Sequence, residues 1–117
     1  MENKRKIGAE KEEQAVSFLI EKGFRILDRN FYFPGGELDI IAKDKEYLVF
    51  VEVKYRKNTV YGFPEEAITA GKQKKLVLGA KKYMYEHKIS YEVPCRFDVI
   101  SICGDEIVWI ENAFCLT

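Results

Sequence analysis

The stretch GGELDIIAKDKEYLVFVEVKYR, residues 35–56, constrains this chain more than any other. Its apolar residues alternate at period two, so it reads as two strands, about 37–43 and 47–55, joined by a short charged loop. Acids interrupt the pattern at Glu37, Asp39 and Glu52, and a lysine at Lys54. Strand side chains point to alternate faces, so Glu37, Asp39 and Ile41 share one face and Leu38, Ile40 and Ala42 the other. In the second strand, Phe50, Glu52 and Lys54 lie opposite Val49, Val51 and Val53. The all-aliphatic faces are the expected core side. The charges then gather on the other face, partly covered by Ile41 and Phe50.

A four-residue loop, Asp44–Tyr47, sets Asp39 opposite Glu52 and Glu37 opposite Lys54. The second pairing is an ion pair. The first puts two carboxylates face to face, which destabilises a sheet. At about 4 Å the repulsion is about 1 kcal/mol in water and about 4 kcal/mol at an effective dielectric of about 20. A cation between them removes the penalty, and hard oxygen ligands on rigid strands suit Mg²⁺. The same residues also fit a solvated sheet face with cross-strand salt bridges. A register slip of two would part Asp39 from Glu52.

The rest of the chain supplies the elements around this hairpin. Residues 7–22 read as a helix, with Glu12, Ala15, Val16 and Leu19 on one stripe and Gly23 closing it. Glu12 is a carboxylate on a core-facing stripe, where it needs a partner; alone, it also fits a helix-end glutamate reaching solvent. Residues 24–32 read as a strand bent near Asp28–Asn30, and FPGG as a turn. Pro64 with Glu65 and Glu66 looks like a helix start, which Gly71 breaks or kinks. A longer helix follows from about Lys72 to His87, with Gln73, Leu76, Val77, Ala80, Tyr83 and Met84 on one stripe. Gly79 inside it costs about 1 kcal/mol against alanine, which close helix–sheet packing would justify. Gln73 alone fits a surface or capping residue. Residues 95–103 and 106–111 alternate as strands around a Gly104–Asp105 turn. The order is α, β, β, β, α, β, β. The hairpins imply antiparallel pairs and the helix between them a parallel junction, giving an α/β fold with a mixed sheet flanked by helices.

A chain of 117 residues is expected to form one domain, long enough to bury about 65% of its unfolded surface. Hydrophobic content of 47% argues against disorder, and runs such as Tyr47–Val51 are too short for a bilayer span. Met1–Lys6 is charged and leads into no apolar run, so no signal peptide is expected. Cys95, Cys103 and Cys115 are odd in number and form no CxxC pair, and His87 is the sole histidine, which disfavours a zinc site. Cys95 and Cys103 read as small buried hydrophobes, and free thiols fit a reducing cytoplasm. The 19 basic and 19 acidic residues cancel but segregate: between Lys72 and Lys88 stand six lysines and one acid, Glu86. A neutral total can therefore hide a basic face beside an acidic site.

These residues together resemble a known arrangement. GELDIIA followed by VFVEVKYR resembles the D…(D/E)xK signature of the PD-(D/E)xK nuclease superfamily, at Asp39, Glu52 and Lys54. Glu12 matches the helix glutamate of its Holliday-junction-resolvase-like branch. Nearly the whole chain resembles the bacterial YraN family, through Gly8, Glu12 and Ala15, Arg29–Asn30, GELDIIA, FVEVKYR, Lys72, RFDVI (96–100) and NAF (112–114). One departure is Lys11, where that family commonly has glycine.

The resemblance implies a restriction-endonuclease-like α-β-β-β-α-β core with an added C-terminal strand, and a divalent-metal-dependent nuclease acting on DNA. It implies Mg²⁺ or Mn²⁺ held by Asp39, Glu52 and Glu12 with the Val53 carbonyl. Carboxylate neighbours favour a charged Lys54, so that residue is expected to orient water and stabilise charge rather than act as a base. Gln73 would position water or phosphate, and Glu37 would be an outer ligand or the partner of Lys54. Arg56, Lys72 and Lys75 would contact phosphates. Arg56 fits a solvated strand end equally well, and a lysine-rich helix face is usually only solvated. Arg96 and Asp98 share a face and are expected to pair, and Trp109 to pack in a core or a dimer. A homodimer would suit a symmetric junction. The alternatives are a non-cutting nucleic-acid-binding module and a protein-interaction subunit on the same fold.

Overall fold

The computed structural model describes residues 4–56 and 68–114, with side chains from residue 7. Helix α1 runs Lys4–Glu21, and strands β1, β2 and β3 run Arg25–Phe33, Gly36–Asp44 and Tyr47–Arg56. Helix α2 follows at Ala70–Glu86, then β4 at Cys95–Cys103 and β5 at Glu106–Phe114. The helix start expected at Pro64 lies outside the described residues.

The strands form one sheet in the order β1-β2-β3-β4-β5. All neighbours are antiparallel except β3 and β4, which are parallel with α2 as their crossover. The bend expected in β1 is a register shift between Ile26 and Asp28, with Asn30 at φ 55°. Helix α1 ends where Gly23 takes φ 95°, and the Phe24 N–H reaches back to the Leu19 carbonyl at 3.0 Å. Helix α2 starts differently from the reading above. Thr69 caps it, accepting from the Lys72 N–H at 3.1 Å, so Gly71 sits inside the first turn and breaks nothing.

The sheet is buried on both faces, which corrects the expectation of one core side. Under α1, Ala15, Val16 and Leu19 pack on Ile40, Ala42, Val49, Val51, Ile100 and Ile102. Under α2, Leu76, Ala80, Tyr83 and Met84 pack on Leu38, Ile41, Leu48, Phe50 and Phe97. Leu38 therefore joins the α2 core and not the face of Ile40 and Ala42. Strict alternation fails where the β2–β3 pairing ends, at Ile40 opposite Val51. Tyr83 meets Phe31 and Phe50 edge-on, adding aromatic contact across the α2 layer. Trp109 meets Phe18 and Phe24 edge-on and, half-buried, packs against the α1 core. Cys95 and Cys103 are free and half-buried, more exposed than expected.

Arg96 and Asp98 do pair, within a larger network. Arg96 Nε and Nη2 donate to the two Asp98 oxygens at 3.0 and 3.2 Å. Nη2 also reaches Asp44 at 2.8 Å and Nη1 reaches Glu111 at 3.3 Å. The Trp109 indole N–H and the Asn112 backbone N–H donate to Asp98, each at 2.9 Å. A fully buried carboxylate thus has charge and hydrogen bonds to satisfy it. The network ties β5 to β4 and gives RFDVI and NAF a structural role.

Candidate functional site

Two helices on opposite faces, and a sheet ladder that opens between them, position the acidic residues. At Asp39 the β2–β3 pairing has just ended, and the Asp39 side chain takes over: its Oδ2 accepts the Val53 N–H at 2.9 Å. Glu52 stands next to Val53 on β3, on the α2 face with Phe50. Asp39 and Glu52 are each only 8% exposed. This strand end cannot leave its charges in water, because both faces of the sheet are roofed.

Burial comes first in raising Asp39, and the Glu52 charge second; Glu12 and Glu37 add to it, while the Val53 N–H opposes. Together they push Asp39 up to about 8. Glu52 is raised by burial, with Lys72 and Lys54 offsetting part of the effect and Glu37 adding to it. Glu12, half-buried on the α1 stripe, is raised by burial and held back by Arg29 and the Asn30 amide. Glu37 raises all three carboxyls.

The expected Glu37–Lys54 ion pair is not formed. Lys54 Nζ instead lies 3.7 Å from Glu52 Oε1, and Lys72 Nζ, from the first turn of α2, lies 3.9 Å from the same oxygen. Two ammonium groups thus flank one Glu52 oxygen. The other, Oε2, is buried with no hydrogen-bond partner among the described residues, as is Glu12 Oε1. Buried carboxylate oxygens of this kind are rare, because each leaves a desolvation cost unpaid. They are hard donors, and a divalent cation suits them. Among the described residues, no three Asp, Glu, His or Cys side chains form a ready-made metal cage. The acids lie instead around the open strand end, with Glu12 on α1 and Glu52 on β3 each near enough to add to the rise of Asp39.

The remaining candidates divide. The Gln73 amide donates to the Ile68 carbonyl at 3.3 Å, bracing the entry to α2. Arg56, at the end of β3, keeps a buried Nε with no partner among the described residues. Lys75 is exposed on α2 and points to no acid among the described residues. Lys11 fills its departure from the motif by reaching the Gly104 carbonyl at 3.3 Å and lying over the Tyr55 ring.

Comparison with known proteins follows the same residues. The family model described as "Uncharacterised protein family UPF0102" matches residues 11–102. The chain belongs to the UPF0102 family. It is 48% identical to a UPF0102 protein of Lachnoclostridium phytofermentans over 112 residues, 96% of this chain and 95% of that protein. A UPF0102 protein of Francisella tularensis is 47% identical over 92% of this chain and 93% of its own length. One of Saccharophagus degradans is 39% identical over 93% and 92%.

The UPF0102 span takes in every acid and base around the open strand end, from Glu12 to Lys72. It also holds Arg96 and Asp98 but ends before Trp109 and Asn112, which complete their network. Residue types alone did not show that Lys72 contacts Glu52, or that Asn30 attends Glu12. Resemblance drew attention to both positions, and the geometry supplies their contacts.

Proposed function

We propose that this UPF0102 chain is a divalent-metal-dependent endonuclease that hydrolyses phosphodiester bonds in DNA, with branched or junction DNA as a candidate substrate. One observation carries the reading: Asp39 and Glu52 are both buried and near enough for the Glu52 charge to raise Asp39, and among the described residues one Glu52 oxygen finds no hydrogen-bond partner. Two ionised carboxylates in so dry a place repel strongly unless a cation joins them. A protein that only held nucleic acid would have no use for carboxylates that repel phosphate.

Asp39, Glu52 and Glu12 would hold Mg²⁺ or Mn²⁺, with the Val53 carbonyl as a further oxygen donor. Such an ion supplies Lewis-acid polarisation of a phosphoryl oxygen and lowers the pKa of water. The chain's own residues do the rest. The Val53 N–H fixes the Asp39 carboxylate through Oδ2, and Oδ1 would be the oxygen turned to a ligand. Lys54 sits 3.7 Å from Glu52 and serves as a fixed positive charge for the developing phosphorane. Gln73, its amide committed to Ile68, keeps an acceptor oxygen for water.

Arg56, Lys72 and Lys75 would contact backbone phosphates. Helix α2 adds a reason. Its first turn holds Lys72 and no acid, and Lys74 and Lys75 come directly after. Lysines there oppose the helix dipole, and a phosphate would offset both.

The deciding experiment is cleavage of duplex, flap and four-way-junction DNA with Mg²⁺ or Mn²⁺ by the wild type and Asp39→Ala. The reading expects metal-dependent cutting by the wild type alone. Equal cutting by both proteins would remove it.

A further inference from the structure

The outer face of α2 takes no part in the core. Lys74, Lys75, Leu78, Lys81, Lys82 and Tyr85 lie along it at helical spacing, all exposed. Leu78 is 64% exposed and Tyr85 80%. Among the described residues, these four lysines make no ion pair. The face therefore joins positive charge to two large apolar side chains. It begins one turn from Lys72, which touches Glu52.

We infer that this face is a track for single-stranded nucleic acid leading away from the candidate site. The inference rests on the nucleic-acid reading of that site and names the form of substrate on one side of it. From Lys74 to Tyr85 the helix rises about 16 Å, long enough to run beside a few consecutive nucleotides. Lysines flanking the stripe match the phosphate charge. Tyr85 and Leu78 match bases, whose flat faces are free only in a single strand. In a duplex the bases are stacked inside, and both side chains would meet only sugar and phosphate. A protein partner fits less well, because lysine is depleted from protein interface cores and four lysines would have to be desolvated around Leu78.

Fluorescence anisotropy in EDTA tests this without any cleavage, using a labelled oligothymidylate of about 20 nucleotides and a duplex of equal length. The track predicts tighter binding of the single strand. Tyr85→Ala should weaken that binding about tenfold, the scale of one lost base–aromatic stack, and leave duplex binding unchanged. Tyr85→Phe should restore it. The double variant Lys81→Gln, Lys82→Gln should reduce the slope of log affinity against log salt by about 1.4, for two lost single-strand phosphate contacts. Tyr85→Ala binding as tightly as wild type would overturn the inference, as would duplex preferred over single strand. Self-association abolished by Leu78→Ser would also overturn it, by making a second copy the occupant. A wild type that binds the single strand yet cuts nothing would sink the nuclease reading and leave the track standing.

Discussion

The Val53 backbone N–H donates to Asp39 Oδ2 at 2.9 Å, so a side chain of β2 closes the hydrogen-bond row that its backbone has left. That bond fixes a carboxylate at a buried strand end beside Glu52. The consequence for stability has a definite sign. Asp39 is pushed from 3.8 up to about 8, so between these values the folded chain holds a proton that the unfolded chain has lost. Without metal, stability should therefore fall as pH rises through that window. Asp39→Asn stays neutral and keeps an oxygen for the Val53 N–H, so it should flatten the fall. Urea unfolding in EDTA at about pH 5, 7 and 8.5 checks it. A wild type that gains stability across this range would count against the buried pair.

Lys54→Met separates catalysis from ion pairing. Methionine keeps much of the stem volume and removes the charge 3.7 Å from Glu52. If Lys54 stabilises transition-state charge, turnover should fall by about 2.7–4 kcal/mol in barrier, the scale for one lost preorganised donor. If it only pairs with Glu52, which Lys72 also contacts, the variant loses at most about 1 kcal/mol of stability and no activity. Single-turnover rates and melting temperatures on this one variant decide between them.

Gly79 tests the packing of α2 on the sheet. A Cβ there would stand 2.7 Å from Phe33 Cζ and 2.8 Å from Cδ1. Gly79→Ala should therefore cost stability by about 1–3 kcal/mol through overpacking, although alanine is the better helix former by about 1 kcal/mol. Adding Phe33→Leu should recover part of the loss, visible as non-additivity in a double-mutant cycle. Gly79→Ala that stabilises the chain would show that the ring moves aside freely.

Asp98 holds β4 and β5 together. Asp98→Ala leaves the guanidinium of buried Arg96 without its bidentate partner. The expected cost is about 3–5 kcal/mol, as for a broken buried pair, and a lowered denaturation midpoint would read it. A loss below about 1 kcal/mol would mean that Asp44 and Glu111 suffice for Arg96.

Much of this was legible from the chain. Period-two runs and turn chemistry gave the hairpins, and the register that sets Asp39 opposite Glu52 continues the observed pairing of Ile40 with Val51. The Gly79 cost pointed to close packing, which Phe33 explains. What escaped were facts of the third dimension. Leu38 has the residue type and parity of Ile40, yet the strand end turns it to the other core. Lys54 could pair with Glu37 or Glu52 by spacing alone, and Lys72 is distant in sequence from the acid it contacts. The α2 start is expected at about Lys72, two residues past its observed place at Ala70, because Thr69, the residue that caps it, is an ordinary threonine until its side chain is seen to accept from the Lys72 N–H.

Metal binding and its proton balance test the account most directly. An ion that joins Asp39 and Glu52 must displace the proton Asp39 holds near neutral pH. Titration calorimetry with Mn²⁺ at about pH 7, in buffers of different ionisation enthalpy, should report release of up to about one proton per ion bound and affinity that rises with pH. Glu52→Gln should abolish the binding. Binding without proton release, or equal binding by Glu52→Gln, would contradict the claim that the buried pair is a metal-dependent centre.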